Sequence, residues 1–377
     1  MKNKVKNIVL LGSTGSIGQQ TLDIVRIFQD ELQVSGLACG NNADLLLQQV
    51  REFRPLLAFC SADLELPAGT MPATMEEMAT HPDVDMVIIA TTGKAGLKPA
   101  MSALQAGKTV AIANKEILVM AGDLLKQLAA LHGGAILPID SEHSAVWQCL
   151  QGEDSSVSRL LLTASGGPFK GWPAEKLRRV TASQALKHPT WKMGRKVTVD
   201  SATLFNKGLE VIEAHWLFDL PYEKIEIIIH RQSIVHSMVE FKDGSIKAQL
   251  SIPDMHLPIQ YALFYPQRMP NPEIKAMDFS GMHNLVFEPV NYMDYPCLRL
   301  SLEAAKLGDT YPAVLCAADE TAVYLFLNNS IAFTEIATII DKTLHMHRPV
   351  SNPGIEDILR SDRWACDTAL KEARKDI

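Results

Sequence analysis

Short apolar runs alternate with helical apolar spacing in the first part of the chain. The run IVLL at 8–11 passes through a glycine turn into TLDIVRIF, whose apolar positions repeat with the period of a helix. Further apolar runs follow as QVSGLAC, LLAFC, DMVIIATTG, TVAIAN and GAILPID, with a helix predicted around LKPAMSALQAG. Continuous apolar runs that alternate with helices are typical of a buried parallel sheet. We therefore predict a Rossmann-like α/β domain over residues 1–140.

The pattern changes beyond this domain. Apolar or alternating runs, RLLLTAS, KIEIIIH, SIVHSMVEF and SIKAQLSI, lie among helices and predict a mixed sheet in a central α+β catalytic domain over residues 141–265. Residues 266–300 hold five prolines and little periodicity, which indicates a linker. Helical spacing returns in residues 301–377, where Pro312 can open a helix and Ser361 can cap another. The chain is therefore expected to end in an α-helical bundle domain.

Composition narrows the class of protein. The chain has 377 residues, of which 47% are hydrophobic and 21% charged, and its formal net charge is −7. These values indicate a multidomain globular protein without a general nucleic-acid or anionic-membrane surface. No apolar run reaches the length of a transmembrane helix or a signal peptide. The six cysteines lack CxxC spacing, which favours reduced, buried thiols and a cytoplasmic location.

The glycine turn GSTGSIG at 12–18 is the first candidate ligand-binding motif. Backbone amides of residues 14–17 could cradle a pyrophosphate at the start of a helix. The spacing GxxGxxG is looser than GxGxxG, so a tight turn without a ligand stays open. The next predicted strand ends at residues 40–42, GNN, without the acidic residue that binds a ribose 2′-hydroxyl in NAD enzymes. NADPH is therefore expected in preference to NADH.

Two carboxylates follow the last strand of the first domain. Asp140 and Glu142 are two residues apart, so on an extended chain they project to the same side and repel each other unless a cation intervenes. Together with Glu210 they would form an oxygen site for Mg²⁺ or Mn²⁺. The alternative is an ordinary helix start, with Asp140 or Ser141 as the N-cap and Glu142 in the first turn.

A polar stretch in the central domain is the second candidate for chemistry. Residues 187–196 are basic and suit a mobile lid over an anion. The helix predicted next could be capped by Ser201 or Thr203. One face of that helix would carry an amide, an ammonium and a carboxylate, from Asn206, Lys207 and Glu210. The alternative is a solvated helix with an ordinary Lys/Glu pair.

Serine and histidine residues give weaker indications of a functional site. Ser165, in the turn SGGPF after a predicted strand, could present its hydroxyl and free amides to a phosphate, or could belong to a plain strand-end turn. His188 lies in too polar a context for a core histidine. The remaining histidines considered are interpreted as structural or surface residues: His230, His236, His256, His345 and His347.

Seven motifs occur in order along the chain: GSTGSIG, ANKE, IDSEH, ASGGPF, HPTWKMGRK, VDSAT and NKGLE. In this combination the chain resembles the 1-deoxy-D-xylulose 5-phosphate reductoisomerase family over nearly its whole length. The resemblance implies an NADPH- and metal-dependent enzyme that rearranges and reduces 1-deoxy-D-xylulose 5-phosphate, a phosphorylated sugar, to 2-C-methyl-D-erythritol 4-phosphate for isoprenoid precursor biosynthesis. It also implies a homodimer.

The resemblance further implies a role for each motif residue. The metal, Mg²⁺ or Mn²⁺ with Co²⁺ as a further option, would be held by Asp140, Glu142 and Glu210. Catalytic roles fall to Lys115, Glu142, His188 and Glu210. Substrate contacts fall to Ser141, Glu142, Ser165, His188, Ser201, Asn206, Lys207 and Glu210, with Trp191 and Met193 covering the site. NADPH contacts fall to Thr14, Gly15, Ser16, Ile17, Gly40, Asn41, Asn42, Asn114, Glu116, Gly194 and Met255. Asn41 stands where relatives often carry a basic residue, which implies a less strict preference for NADPH.

Two other classes of function stay open. A semialdehyde-type NAD(P)-dependent dehydrogenase would use a cysteine thiolate, for which Cys149 is the nearest candidate. A dinucleotide-binding regulator without turnover would explain the glycine turn but not the three carboxylates.

Overall fold

The computed structural model describes residues 5–153, 156–188, 190–191, 193–281 and 284–375. Its strands are β1 (Lys6–Leu11), β2 (Leu32–Cys39), β3 (Leu57–Cys60), β4 (Met71–Pro72), β5 (Met86–Ile89), β6 (Thr109–Ile112), β7 (Ala135–Pro138), β8 (Val157–Ala164), β9 (Ile225–Ile229), β10 (Val235–Phe241), β11 (Ile246–Leu250) and β12 (Glu288–Pro289). Its α-helices are α1 (Ser16–Ile27), α2 (Ala43–Phe53), α3 (Met75–Thr80), α4 (Leu97–Gln105), α5 (Lys115–His132), α6 (Ser141–Cys149), α7 (Ala174–Leu177), α8 (Ala182–Ala185), α9 (Arg195–Thr203), α10 (Phe205–Phe218), α11 (His256–Phe264), α12 (Pro296–Leu307), α13 (Tyr311–Leu327), α14 (Glu335–Met346) and α15 (Ile355–Lys375).

The first sheet has seven parallel strands in the order β4-β3-β2-β1-β5-β6-β7. Every residue of β5 is buried, because the strand is apolar on both faces and is covered on both. The strand order reverses between β1 and β5, which opens a crevice at the carboxyl edge of the sheet, where such folds bind ligands. The doubly wound fold predicted from the apolar runs is confirmed.

The second sheet has the order β11-β10-β8-β9-β12. β8 and β9 run parallel, while the other neighbouring pairs are antiparallel, so the predicted mixed sheet is also confirmed. One face of this sheet packs against α6, α10 and α12 through a core that includes Leu160, Leu162, Val211, Ile227 and Leu298. This packing fixes α10, the helix that carries Glu210.

The described part of the chain ends in α12 to α15. The helical spacing predicts α13, α14 and α15, whereas α12 begins at Pro296, inside the predicted linker. Pro296 and Pro312 lie in the first turns of α12 and α13, where a missing backbone N–H is not needed. The cap predicted at Ser361 is wrong, because α15 begins earlier, at Ile355, and Ser361 is buried inside it. Among the helices of the described ranges, none has the length and apolar character that crossing a membrane needs.

Contacts divide the chain into two compact units. The first consists of Met1–Ile117, Gly122–Ser144 and Asp254–Lys275, and the second of Leu118–Ala121, Ala145–Pro253 and Ala276–Ile377. The first unit is therefore discontinuous, and its last segment carries α11. The domain boundaries predicted at residues 140, 265 and 300 stay predictions.

Candidate functional site

Glycines shape the turn between β1 and α1 in the first unit. Gly12 has φ of +98°, and a Cβ added there would lie 2.3 Å from the carbonyl oxygen of Ala90. A Cβ on Gly18 would lie 2.3 Å from the carbonyl oxygen of Gly12. Only glycine lets the chain pass this close to the ends of β1 and β5. Gly15 caps α1 without a side-chain hydrogen bond, so the first amides of the helix can face an anion. The Gly15 amide donates to the Gly12 carbonyl oxygen at 3.1 Å, and binding of a pyrophosphate by residues 14–17 stays a prediction.

The turn after β2, at residues 40–42, lies beside the glycine turn. The amides of Gly12 and Ser13 both donate to the carbonyl oxygen of Ala38 at 2.8 Å, which ties the glycine turn to the end of β2. Gly40, Asn41 and Asn42 are exposed. The side chain of Asn42 accepts a hydrogen bond from the Leu45 amide at 3.3 Å and so caps α2. Asn42 therefore caps α2 in addition to its predicted cofactor contact.

Asn114 follows the carboxyl end of β6 and forms hydrogen bonds to the segments on either side of it. The side chain is buried, and its Nδ2 donates to the carbonyl oxygen of Gly93 at 2.8 Å and to Thr91 Oγ1 at 3.3 Å. Its Oδ1 accepts from the Ile117 amide at 3.3 Å and caps α5. Asn114 thereby ties the segment after β5 to the start of α5, while Glu116 lies partly buried in the first turn of that helix.

The end of β7 carries a charged cluster. The ammonium of Lys115 donates to Asp140 Oδ2, and His143 Nδ1 lies 3.2 Å from the same oxygen. Burial would raise the pKa of Asp140, but the charge of Lys115 and the bond to His143 outweigh burial and hold that pKa below its usual range. Ser141 donates to Glu142 in the first turn of α6. The first unit thus presents an ionised carboxylate and a second carboxylate at its ligand edge, a donor pair that suits a hard divalent cation.

His143 was not among the residues singled out from the sequence. Its spacing of three from Asp140 at a helix start places both side chains on one side of the first turn, so the pairing could have been read from the pattern IDSEH.

Ser165 and His188 meet in the second unit. Ser165 Oγ lies 3.0 Å from His188 Nε2. The amide of Trp191 donates to His188 Nδ1 at 2.9 Å, so the neutral imidazole carries its proton on Nε2 and donates it to Ser165. Ser165 Oγ also accepts from the Gly167 amide at 3.3 Å. The hydroxyl hydrogen of Ser165 is therefore available to an incoming acceptor.

The turn after β8 packs against the end of α9. Gly167 has φ of +67°, and a Cβ added there would lie 2.7 Å from the carbonyl oxygen of Ser201, so this turn needs glycine to approach the helix. The caps predicted at Ser201 and Thr203 are wrong: Ser201 lies inside α9 and Thr203 ends it. Leu204, in the left-handed conformation with φ of 55°, separates α9 from α10. The Thr203 hydroxyl still accepts from the Phe205 amide, at 3.3 Å.

Asn206, Lys207 and Glu210 share one face of α10, as their spacing predicts. Asn206 Nδ2 donates to Glu210 Oε1 and Lys207 Nζ donates to Glu210 Oε2. Lys207 is 3% exposed and Glu210 1% exposed, so the pair is not the solvated surface pair that was the alternative. The three predicted metal ligands lie in both units, Asp140 and Glu142 in the first and Glu210 in the second.

The remaining predicted contacts lie at helix starts and in the basic stretch. Gly194 is the exposed N-cap of α9, and Met255 is the N-cap of α11 in the first unit. Trp191 lies near His236, with ring centroids 5.9 Å apart, and Met193 is partly buried. Pro189 and Lys192 lie outside the described residues. Arg195 and Lys196 belong to α9, so the basic stretch ends in a regular helix; its closing motion stays a prediction.

A buried charge cluster joins α9 to α13 in the second unit. Lys196 Nζ lies 2.8 Å from Asp200 Oδ2 and 3.0 Å from Asp319 Oδ2, and both aspartates are at most 1% exposed. Sequence reasoning missed this cluster because Asp319 is far from Lys196 along the chain and only tertiary packing brings them together.

Cys149 does not have the surroundings of a catalytic thiol. It is buried in the core of the second sheet beside Val146 and Leu160. Burial raises the pKa of the Cys149 thiol to about 11. The group is therefore a protonated core residue, which removes the basis for a thiolate-dependent dehydrogenase.

Comparisons with known proteins find the same enzyme family along nearly the whole chain. Family models match residues 8–122 as 1-deoxy-D-xylulose 5-phosphate reductoisomerase, residues 136–218 as the C-terminal domain of that enzyme, and residues 250–368 as the DXP reductoisomerase C-terminal domain. The reductoisomerase of Pelotomaculum thermopropionicum is 49% identical, covering 98% of this chain and 99% of its own length. That of Caldanaerobacter subterraneus subsp. tengcongensis is 48% identical, covering 95% and 97%.

Solved structures give the same result. The reductoisomerase from Zymomonas mobilis in complex with NADPH is 38% identical with a TM-score of 0.89, covering 98% of this chain and 99% of its own. A DOX-P reductoisomerase in complex with NADPH, fosmidomycin and magnesium is 36% identical with a TM-score of 0.91, covering 98% of each chain. With similarity of this degree over the whole chain, this protein belongs to the 1-deoxy-D-xylulose 5-phosphate reductoisomerase family.

Proposed function

We propose that this chain catalyses the NADPH- and divalent-metal-dependent rearrangement and reduction of 1-deoxy-D-xylulose 5-phosphate to 2-C-methyl-D-erythritol 4-phosphate, a step of isoprenoid precursor synthesis. The observation that carries this proposal is identity of 49% over 98% of the chain with a reductoisomerase. The glycine cradle, the carboxylates after β7 and the polar face of α10 are the parts that such a reaction requires.

The first unit supplies the cofactor site. The amides of Thr14, Ser16 and Ile17 at the start of α1 receive the negative pyrophosphate, aided by the helix dipole. Gly15, whose amide donates to the Gly12 oxygen, shapes the turn around it. Residues 40–42 receive the adenosine ribose, and the absence of an acidic side chain there leaves room for a 2′-phosphate. Asn114, Glu116, Gly194 and Met255 complete the proposed cofactor contacts. When bound, NADPH supplies the hydride for the reduction.

Asp140, Glu142 and Glu210 would hold the divalent cation, Mg²⁺ or Mn²⁺ with Co²⁺ as a further option. A cation bound there supplies Lewis-acid polarisation of the ketone and neighbouring hydroxyl oxygens of the substrate. Lys115 keeps Asp140 ionised, as the lowered pKa of that carboxyl indicates, and with Ser141 orients the substrate. Lys207 and Asn206 fix the Glu210 carboxylate on a rigid helix.

The second unit supplies the phosphate site. Ser165, Ser201, Asn206 and Lys207 would bind the phosphate and so anchor the end of the substrate that does not react. His188 aligns the Ser165 hydroxyl and would touch the substrate directly. Trp191 and Met193 would exclude water during hydride transfer when residues 187–196 close.

A homodimer and a cytoplasmic location belong to the same proposal, and both rest on the sequence and the family. Sedimentation velocity of the purified chain tests the first: a single species of twice the chain mass is expected, and a stable monomer would contradict it.

The activity is tested by incubating the full chain with 1-deoxy-D-xylulose 5-phosphate, NADPH and Mn²⁺. We expect NADPH consumption matched by formation of 2-C-methyl-D-erythritol 4-phosphate, identified by mass spectrometry. Removal of divalent cations with a chelator should abolish turnover, and added Mn²⁺ should restore it. Full turnover after chelation would contradict the metal assignment, and NADPH binding without turnover would favour the non-catalytic regulator.

A further inference from the structure

Two thiols lie side by side at the ligand edge of the first sheet. Cys39 ends β2, Cys60 ends β3, and the two residues are register partners in parallel strands. Register partners of neighbouring strands project to the same face, so their side chains meet. The two Sγ atoms are 3.5 Å apart, and both cysteines are free thiols.

The positions of these strands permit a covalent bond. Neighbouring strands are about 4.8 Å apart, which lies within the Cα separation of about 4.4–6.8 Å found across disulfides. The sulfur atoms need to close from 3.5 Å to about 2.05 Å, which small rotations of the two side chains can achieve.

The thiols also hold the turn at residues 40–42. Cys60 Sγ donates to the carbonyl oxygen of Gly40 at 3.2 Å, and Cys39 Sγ lies 3.6 Å from the carbonyl oxygen of Asn42. A disulfide has no S–H group, so oxidation removes both donors at once. The Gly40 oxygen would keep the Ser61 amide at 3.0 Å, and the Asn42 oxygen would keep the Leu46 amide at 3.1 Å, so the turn would lose only its thiol donors.

We propose that Cys39 and Cys60 form a reversible disulfide when the protein is exposed to a peroxide, and that this bond weakens NADPH binding by loosening the turn at residues 40–42. The second half rests on the proposed function, because it takes these residues as part of the cofactor site. Formation of the bond does not depend on that function.

The chemistry begins at the more accessible sulfur. Cys60 is partly exposed, whereas Cys39 is buried, and burial raises the pKa of the Cys39 thiol to about 12. The Cys60 thiolate attacks one oxygen of hydrogen peroxide, the O–O bond breaks, and hydroxide leaves, giving Cys60 sulfenic acid. The Cys39 sulfur then attacks the Cys60 sulfur; its thiol proton joins the departing hydroxide, and water leaves as the S–S bond forms. Two thiols are oxidised while one peroxide is reduced to two waters.

The test treats the full chain with hydrogen peroxide and follows two readouts. Peptide mass mapping should find Cys39 joined to Cys60 with the loss of two hydrogen atoms. NADPH affinity, measured by fluorescence titration, should fall about five- to tenfold, as expected for the loss of one or two hydrogen bonds, and dithiothreitol should restore it. Cys60→Ser should show neither change. Cys366→Ser, which removes another partly exposed thiol, should respond as the unaltered chain does.

Three other outcomes would contradict either the disulfide or its effect on NADPH binding. Oxidation of Cys60 to sulfinic acid without a link to Cys39 would refute the disulfide. A linked protein that binds NADPH as tightly as the reduced chain would refute its effect on the cofactor. A reduced chain that binds no NADPH would refute the cofactor half together with the proposed function, while mass mapping would still decide whether the disulfide forms.

Discussion

At the scale of single residues, one substitution tests whether Glu210, the hydrogen-bond partner of Lys207, also binds the proposed cation. Glu210→Gln keeps the size of the side chain but removes the negative charge that a cation needs, so we expect turnover to fall on the order of a hundredfold or more. Mn²⁺ affinity, measured by calorimetry, should fall with it, while NADPH affinity should stay unchanged. Glu303→Gln removes one charge from an exposed pair with Arg299 and serves as the control. Unchanged turnover in Glu210→Gln would reduce Glu210 to a structural partner of Lys207.

In the proposed site, His188 would act on the substrate through Ser165 as well as directly. His188→Ala removes the donor to Ser165 Oγ, so we expect the KM for 1-deoxy-D-xylulose 5-phosphate to rise on the order of tenfold with little change in NADPH affinity. Steady-state kinetics with each substrate varied in turn provide the measurement. His345→Ala, which truncates a histidine whose side chain is 76% exposed, should leave both values as they are. An unaltered dependence on the sugar phosphate would remove His188 from the site.

At the scale of elements, the Lys196 cluster anchors α9 to α13. Lys196→Met leaves Asp200 and Asp319 buried without their shared cation, so we expect the free energy of unfolding to fall by about 3–5 kcal/mol. Lys170→Met, which breaks a partly exposed pair with Glu288, should lower the free energy of unfolding much less, because solvent screens that pair. Denaturant titration of both variants gives the comparison. Equal losses would show that the buried cluster is no more important than a surface pair.

Local patterns in the sequence were sufficient to predict some elements and not others. The apolar runs predicted β1 to β3 and β5 to β11, and the spacing of Asn206, Lys207 and Glu210 predicted their common face, because both depend only on the repeat of the element. The break at Leu204 was not predictable, since a left-handed residue is ordinarily glycine or asparagine and here a buried leucine is held by its surroundings. The Cys39 and Cys60 contact required the strand register, which no local pattern contains.

At the scale of the whole molecule, the helical end of the chain carries an acid-sensitive group. His347 is buried, its Nε2 lies 2.7 Å from Thr310 Oγ1, and its ring lies beside that of Trp364. Burial lowers the pKa of His347 below 6.5. As the pH falls, His347 therefore takes up a proton in the unfolded chain before it does so in the folded chain. Protonation of this residue has no effect on stability above about pH 6.5, and it destabilises the folded state as the pH falls below that value.

Replacing His347 tests this dependence. Between about pH 7.5 and about pH 5.5 the Tm of the unaltered chain should fall, and the Tm of His347→Gln should fall less, because glutamine does not titrate. His345→Gln, at a neighbouring exposed position, should follow the unaltered chain. A fall of the same size in His347→Gln would place the acid sensitivity elsewhere.

The discontinuity of the first unit constrains the order in which the chain folds during synthesis. Phe264 of α11 packs edge-on against Phe28 of α1, with ring centroids 4.8 Å apart, yet residues 145–253 are made between them. Domains usually fold as they leave the ribosome, beginning at the amino terminus. Here one side of α1 stays uncovered in the nascent chain until the segment Asp254–Lys275 leaves the ribosome. A ribosome that stalls before this segment therefore exposes an apolar helix face, and the incomplete product is a natural target for chaperones.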